Sequence, residues 1–194
     1  MNPIEVVAVV FGLLCVWLCV KENIWCWPTG LVQVSLYVII FYQAKLYSDT
    51  ILNVIYVGVQ FYGWYHWLHG GRDRGELAVS RLSAPALNGW IVVTVVGTAL
   101  WGYGMASLTD AAVPYWDAFT TVASLVAQWL MARKRVENWA FWIAVDVVAV
   151  GVYLYKGLHL TAGLYFVFLI MCIEGWRAWN RTVQETTPSA VPVV

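Results

Sequence analysis

Residues 136–148, VENWAFWIAVDVV, decide how the rest of the chain is read. Trp139, Trp142 and Asp146 fall at i, i+3 and i+7, so a helix carries two indole rings and one carboxylate on a single stripe. From 139 to 155 the chain is otherwise apolar and long enough to cross a bilayer. A carboxylate near the middle of such a helix costs roughly 2.5–3.5 kcal/mol on insertion scales, so it turns away from lipid. Two aromatic faces beside a buried anion suit a cationic ligand. The competing use of the same residues is a packing face whose Asp pairs with a neighbouring helix.

Composition places this helix in a membrane protein. The chain has 194 residues, 61% hydrophobic and 11% charged, against about 25% charged in a soluble domain. Its formal net charge is zero, and no basic block interleaved with aromatics points to nucleic acid. The four cysteines, Cys15, Cys19, Cys26 and Cys172, lie in or beside apolar runs without metal-ligand spacing, so they read as small packing residues. No metal or cofactor is expected. The opening MNPIEVV lacks the basic start of a signal peptide, so the first apolar run is expected to stay in the mature protein.

Seven apolar segments follow in order, at about 4–20, 27–43, 50–67, 87–105, 115–131, 139–155 and 160–176. Only 69–85 is long enough to be a true loop, and 182–194 reads as a disordered tail behind one membrane domain over 1–181. Seven crossings put Lys21, Arg72, Arg74, Arg81, Arg133, Lys134, Arg135, Arg177 and Arg181 on one side. The other side holds only Lys45 and Lys156. This asymmetry predicts an outside N-terminus and a cytoplasmic C-terminus, with Arg133–Arg135 as a topology determinant.

The chain also repeats itself. Shifting it by 112 residues lays 10–67 on 122–179 without a gap, matching Trp17 with Trp129, Trp27 with Trp139, Trp64 with Trp176 and Trp67 with Trp179. Chance predicts roughly 0.4 such coincidences, so the four observed indicate an internal repeat. Each repeat holds three segments, and the fourth segment, free of charge, restores direction between them. The expected fold is therefore all-α and integral to the membrane: seven transmembrane helices, as two parallel three-helix repeats (4–67 and 115–179) joined by a linker helix (87–105). Carriers built this way bind substrate between the halves near the midplane.

The third segment supplies a second polar stripe. Asn53, Tyr56, Gln60 and Trp64 share one helical face, with Gln60 about 10 Å deeper than Asn53 at 1.5 Å per residue. Gln60 and Asp146 then share a depth. These residues, with Trp139 and Trp142, are the candidate substrate contacts, although amides in lipid also bond helix to helix. Gln33 and Gln128 are further cavity candidates. Trp64, Trp67, Trp176 and Trp179 sit at segment ends and read as interfacial anchors. Glu174 can pair with Arg177 at i+3, and His66, His69 and His159 lie at segment ends in solvent.

The segments contain no nucleophile–base pair or paired aspartates for an enzyme, and the seventh has no Lys for a retinal Schiff base. A passive scaffold has no use for a midplane carboxylate beside two indoles. A solute carrier without a nucleotide-binding motif fits best.

The pieces IWCWPTGLVQVSLYVIIFYQAKLYSD, YGWYHW, PYWDAFTTVASLVAQWLMARKRVENWAFW and LYKGLHLTAGLYFVF resemble the PnuC family of bacterial vitamin transporters. The resemblance covers about 5–179. It implies a SWEET-like fold in the inner membrane, a trimer, and uptake of nicotinamide riboside by facilitated diffusion, with phosphorylation trapping the substrate inside. On it, the aromatic pair of the sixth helix maps to Trp139 and Trp142, and the amide pair of the third to Asn53 and Gln60. Members of the family can carry Asn where this chain has Asp146. Thiamine, also a cationic aromatic vitamin, is the alternative substrate, and a proton-coupled carrier using Asp146 the alternative mechanism.

Overall fold

The computed structural model describes residues 3–43, 45, 47–108 and 113–186. They form seven α-helices: α1 (Pro3–Val20), α2 (Cys26–Gln43), α3 (Tyr47–His69), α4 (Ala84–Leu108), α5 (Pro114–Ala132), α6 (Asn138–Tyr155) and α7 (His159–Thr186). Each apolar segment becomes one helix. The seventh runs on past its apolar stretch, because Thr182 donates to Glu22 Oε1 at 2.8 Å and ties the extension to the end of α1. Residues 182–186 are thus helical rather than tail, a correction to the sequence reading; 187–194 lie outside the described residues.

Helices α1, α4, α6 and α7 are long and apolar enough to cross a membrane by length and composition. The other three carry Gln33, Asn53, Gln60, Ser124 and Gln128, which lower their mean hydropathy and turn out to share one destination. Packing joins α1 to α2 and α2 to α3, then α4 through α7 in succession, with α1 against α7 and α3 against α5.

Local details recur at the offset of 112. Glu22 and Lys134 both take positive φ, 54° and 49°, just after α1 and α5. At each turn a backbone N–H reaches back five residues, from Asn23 to Leu18 O and from Arg135 to Leu130 O. The two turn residues then meet, Lys134 Nζ lying 3.6 Å from Glu22 Oε2. Lys45 and Gly157 likewise match in sign, with φ of 60° and 73°.

Four tryptophans form the centre of the largest core. Trp27 meets Trp67 edge-on at 5.2 Å, and Trp139 meets Trp179 edge-on at 5.4 Å. Trp67 and Trp179 lie 5.9 Å apart. Trp67 donates its indole N–H to Met131 O at 3.1 Å, and Trp179 donates to Cys19 O at 3.0 Å. The exchange is reciprocal, since Met131 and Cys19 also stand 112 apart. Trp67 and Trp179 are therefore core residues and not the interfacial anchors expected from their place at segment ends. Glycines make the room: the Trp27 ring fills the space a Cβ would occupy on Gly63, and the Trp139 ring does the same at Gly175.

The connector between α3 and α4 is docked rather than free. Ser80 donates to Lys134 O and accepts from Val136 N–H, each at 3.0 Å. Glu137 accepts the Leu82 N–H at 3.0 Å, and Arg135 donates to Ser80 Oγ at 2.9 Å. Lys134, buried, also stands 4.5 Å over the Trp67 ring. The basic cluster thus ties the α3–α4 connector and the turn after α1 to the turn after α5, a role its charge alone does not disclose.

Candidate substrate-binding cavity

A cavity of ≈ 510 Å³ lies between the helices. Its walls hold all eight residues singled out by pattern: Gln33 on α2, Asn53, Tyr56 and Gln60 on α3, Gln128 on α5, and Trp139, Trp142 and Asp146 on α6. The helical period explains the convergence, because polar groups on one face of each helix turn to a common interior when the other faces meet lipid or core. The cavity walls are half-buried near Asp117, Phe41 and Thr161, and fully buried at Trp27, Trp139, Met131 and Cys19. It opens at the first end and closes on the tryptophan cluster at the other.

Asp146 carries the electrostatics. The residue is 3% exposed, and it accepts a weak hydrogen bond from the Cys172 thiol at Oδ2, 3.3 Å long. Among the described residues no Lys or Arg pairs with it. A buried carboxyl group with no cation beside it either takes up a proton or accepts a cationic partner, and this one lines a cavity that could hold such a partner. Among the described residues, the other acidic side chain lining that cavity is Asp117 at the mouth, where Lys156 lies 3.4 Å away. Among the described residues, no Lys or Arg lines it.

The aromatic pair divides. Trp142 is half-buried and reaches both core clusters from the cavity wall. Trp139 is 1% exposed, held between Gly175 and Trp179, and contributes to the closed end. The amides are held by shape. Gln60 packs where a Cβ on Gly30 would sit, and Gln33 Nε2 lies 2.6 Å from the place of a Cβ on Gly12. Tyr56 and Ser124 share a hydrogen bond of 2.7 Å, linking α3 to α5 across the cavity.

Sequence reasoning missed most of the α5 wall. Asp117, Thr120, Thr121, Ser124 and Gln128 all line the cavity, and their spacing of 3 and 4 was visible as a stripe. It also missed the aromatic walls near the mouth. There Tyr153 and Tyr165 lie 5.1 Å apart, and Tyr37 stacks on Phe41 at 5.5 Å.

Apolar outer faces, a polar interior stripe on each of several helices, and one end sealed while the other is open define a multi-pass membrane transporter. The sequence model of the nicotinamide mononucleotide transporter family matches residues 2–181, and the chain belongs to this family, the PnuC transporters. The family is one of membrane transporters, not of enzymes. The nicotinamide riboside transporter PnuC of Escherichia coli (strain K12) is 31% identical over 207 residues, 94% of this chain and 87% of that protein. The riboflavin/roseoflavin transporter RibM of Streptomyces davaonensis is 25% identical over 196 residues, 95% and 91% of the two chains. A crystal structure of the vitamin B3 transporter PnuC matches with a TM-score of 0.74 at 31% identity, covering 96% of this chain and 85% of that one.

Proposed function

We propose that this protein takes up nicotinamide riboside by facilitated diffusion, and that phosphorylation inside the cell traps the substrate. The observation that carries the substrate is Asp146, a buried carboxylate on the cavity wall with a thiol as its donor and Trp142 one helical turn away. A pyridinium bearing a sugar places its charge against that carboxylate and its ring against the indole. The absence of Lys and Arg from the lining, among the described residues, favours the nucleoside over its phosphate, which would bring two negative charges into a site that already holds carboxylates. Asn53, Tyr56 and Gln60, with Gln33 and Gln128, supply donors and acceptors for the carboxamide and the sugar.

The architecture that supports this reading is a pair of parallel three-helix repeats, α1–α3 and α5–α7, joined by α4. The matched turns and the reciprocal tryptophan bonds favour it, and all seven helices then cross the membrane of the cell. The basic end is cytoplasmic and the N-terminus outside, so the cavity opens outward. A trimer is the assembly suggested by the family resemblance.

Binding of nicotinamide riboside, its mononucleotide, thiamine and riboflavin to the purified protein tests the substrate. Nicotinamide riboside should bind and the mononucleotide should not; tighter binding of thiamine would replace the substrate while keeping the site. Cysteines introduced next to Lys45 and Lys156 should be labelled from outside the cell. Labelling from outside at Arg72–Arg81 instead would overturn the orientation.

A further inference from the structure

Helices α6 and α7 meet in one antiparallel register. Trp139 meets Trp179 edge-on at 5.4 Å, the Cys172 thiol reaches Asp146 at 3.3 Å, and the rings of Tyr153 and Tyr165 lie 5.1 Å apart. Each contact lies seven residues further along α6 and seven further back along α7 than the one before it. A step of seven returns a helix to nearly the same face, so the packing on either side of the middle contact fixes it. The outer two contacts are ring against ring. The middle one joins a donor to a carboxylate.

The size of residue 172 follows from the other half of the chain. There the Gln60 amide extends into the space left by Gly30. Positions 142 and 172 stand 112 residues beyond those two, and they carry Trp and Cys. An indole replaces the bare Cα, and the side chain opposite is correspondingly short. Alanine meets that limit as well, but it gives Asp146 no donor. Size therefore explains a small residue at 172 and leaves its sulfur unexplained. Cys172 and Asp146 are both buried, at 4% and 3% exposed, so bulk water does not supply the donor in the thiol's place.

We propose that Cys172, which the sequence marks as no more than a packing residue, is the positioning residue of the cation site: its thiol holds the Asp146 carboxylate through Oδ2 and leaves the carboxylate's remaining acceptor positions to the ligand. This rests on the reading of the cavity as a site for a cationic riboside, and it requires no contact between Cys172 and the ligand. An ionised carboxylate offers about four acceptor positions, and a thiol is a weak donor that occupies one of them. With no donor at all, the group is free to turn away from the cavity. With a cation from the protein instead, it would have little left to gain from a charged ligand. A single thiol orients the carboxylate without satisfying it.

The test is a double-mutant cycle on the purified full chain, read as binding of nicotinamide riboside with thermal unfolding alongside. Cys172→Ala removes the donor and should weaken binding about threefold to tenfold, the scale of one modest hydrogen bond. Cys172→Ser keeps a donor of similar size and should recover most of that loss. In an Asp146→Asn background, Cys172→Ala should cost nothing further, because the thiol acts through the carboxylate. Unchanged affinity in a folded Cys172→Ala overturns the proposal, as does the same loss repeated in the Asp146→Asn background. A Cys172→Ser variant as weak as Cys172→Ala also overturns it, since the sulfur would then serve packing. If Cys172→Ala does not fold, Cys172→Val runs the same cycle without a donor, and loss of folding in both marks Cys172 as a structural strut. If Asp146→Asn alone binds too weakly to measure, the serine rescue decides. Failure of the wild type itself to bind nicotinamide riboside is a different result, and it sinks the underlying functional reading.

Discussion

Residues 10–67 and 122–179 use the same parts at the closed end of the cavity and different parts at its middle. Trp27, Gly63 and Trp67 in the first stretch have their counterparts in Trp139, Gly175 and Trp179, with matching edge-on rings and exchanged indole bonds. At the middle of the cavity the register is kept but the chemistry changes. Gly30, Val34 and Gln60 stand opposite Trp142, Asp146 and Cys172. In the first stretch, the missing side chain of Gly30 admits the Gln60 amide. In the second, the same position carries an indole, and Cys172 donates to Asp146. Shape holds the closed end, and there the two stretches agree. On the proposed function, ligand chemistry governs the middle, and a ligand with one charged end accounts for their disagreement there.

The largest effects should come from breaking what the two stretches share. Gly175→Ala places a Cβ 2.6 Å from carbons of the Trp139 ring, which Trp179 prevents from retreating. Gly63→Ala does the same to Trp27. Each should cost about 1–3 kcal/mol or more from overpacking and lower the thermal midpoint in detergent by similar amounts. Tolerance at one glycine with failure at the other would break the equivalence of the two halves.

Changing what the stretches do not share should leave the fold alone and strike binding. Asp146→Asn removes the intramembrane charge, so thermal stability should hold or rise while affinity for nicotinamide riboside falls by about 1.5–3 kcal/mol, the scale of a hydrogen bond to a charged group. Normal binding by this variant would remove the charge from the mechanism, and loss of folding would make Asp146 a structural partner. Trp142→Ala should lose about 1–2 kcal/mol of binding if its ring faces a desolvated cation, and Trp142→Phe should lose less. Equal losses would assign Trp142 to packing.

The pattern of what could be read from the sequence follows the same division. Hydropathy marked each helix because a segment in lipid must be apolar over about 20 residues. The 3.6-residue period then placed Asn53, Tyr56, Gln60 and Asp146 on inward faces. The α5 wall escaped notice because Thr120, Thr121 and Ser124 bond carbonyls three or four residues back, and hydroxyls satisfied in this way sit unremarked in apolar helices. Trp67 and Trp179 were misread because a tryptophan at a helix end is compatible with the membrane interface and with a core between two halves. Only the meeting of α1, α3, α5 and α7 distinguishes the two, and that is a matter of tertiary packing.

Smaller still is the expected effect of the Tyr56–Ser124 hydrogen bond, which crosses the cavity. Tyr56→Phe removes its bond to Ser124 and should cost about 0.5–1.5 kcal/mol, seen in binding more than in unfolding if the pair orients groups for the ligand. A loss of stability without a loss of binding would make it a strut between the halves.

The smallest expected effect is none. The carboxylate at mid-depth stands in one stretch only, and its counterpart in the other is Val34. Among the described residues, Asp117 is the other acidic residue on the wall, it lies at the mouth, and no histidine lines the cavity. Proton-driven carriers generally use intramembrane relays of acidic and histidine groups, and towards the closed end this cavity presents indoles instead. A cation seated against Asp146 balances its charge without a proton, so the loaded carrier has no need to take one up. Transport then requires only that the outward- and inward-open states bind the ligand comparably, because a ligand shifts an equilibrium by its differential affinity alone. In liposomes without a kinase, labelled nicotinamide riboside should enter until the two concentrations are equal, and an imposed pH gradient should leave that level where it was. Accumulation above it that collapses with an uncoupler would mean that the asymmetry between the halves serves proton coupling and not recognition of the cation.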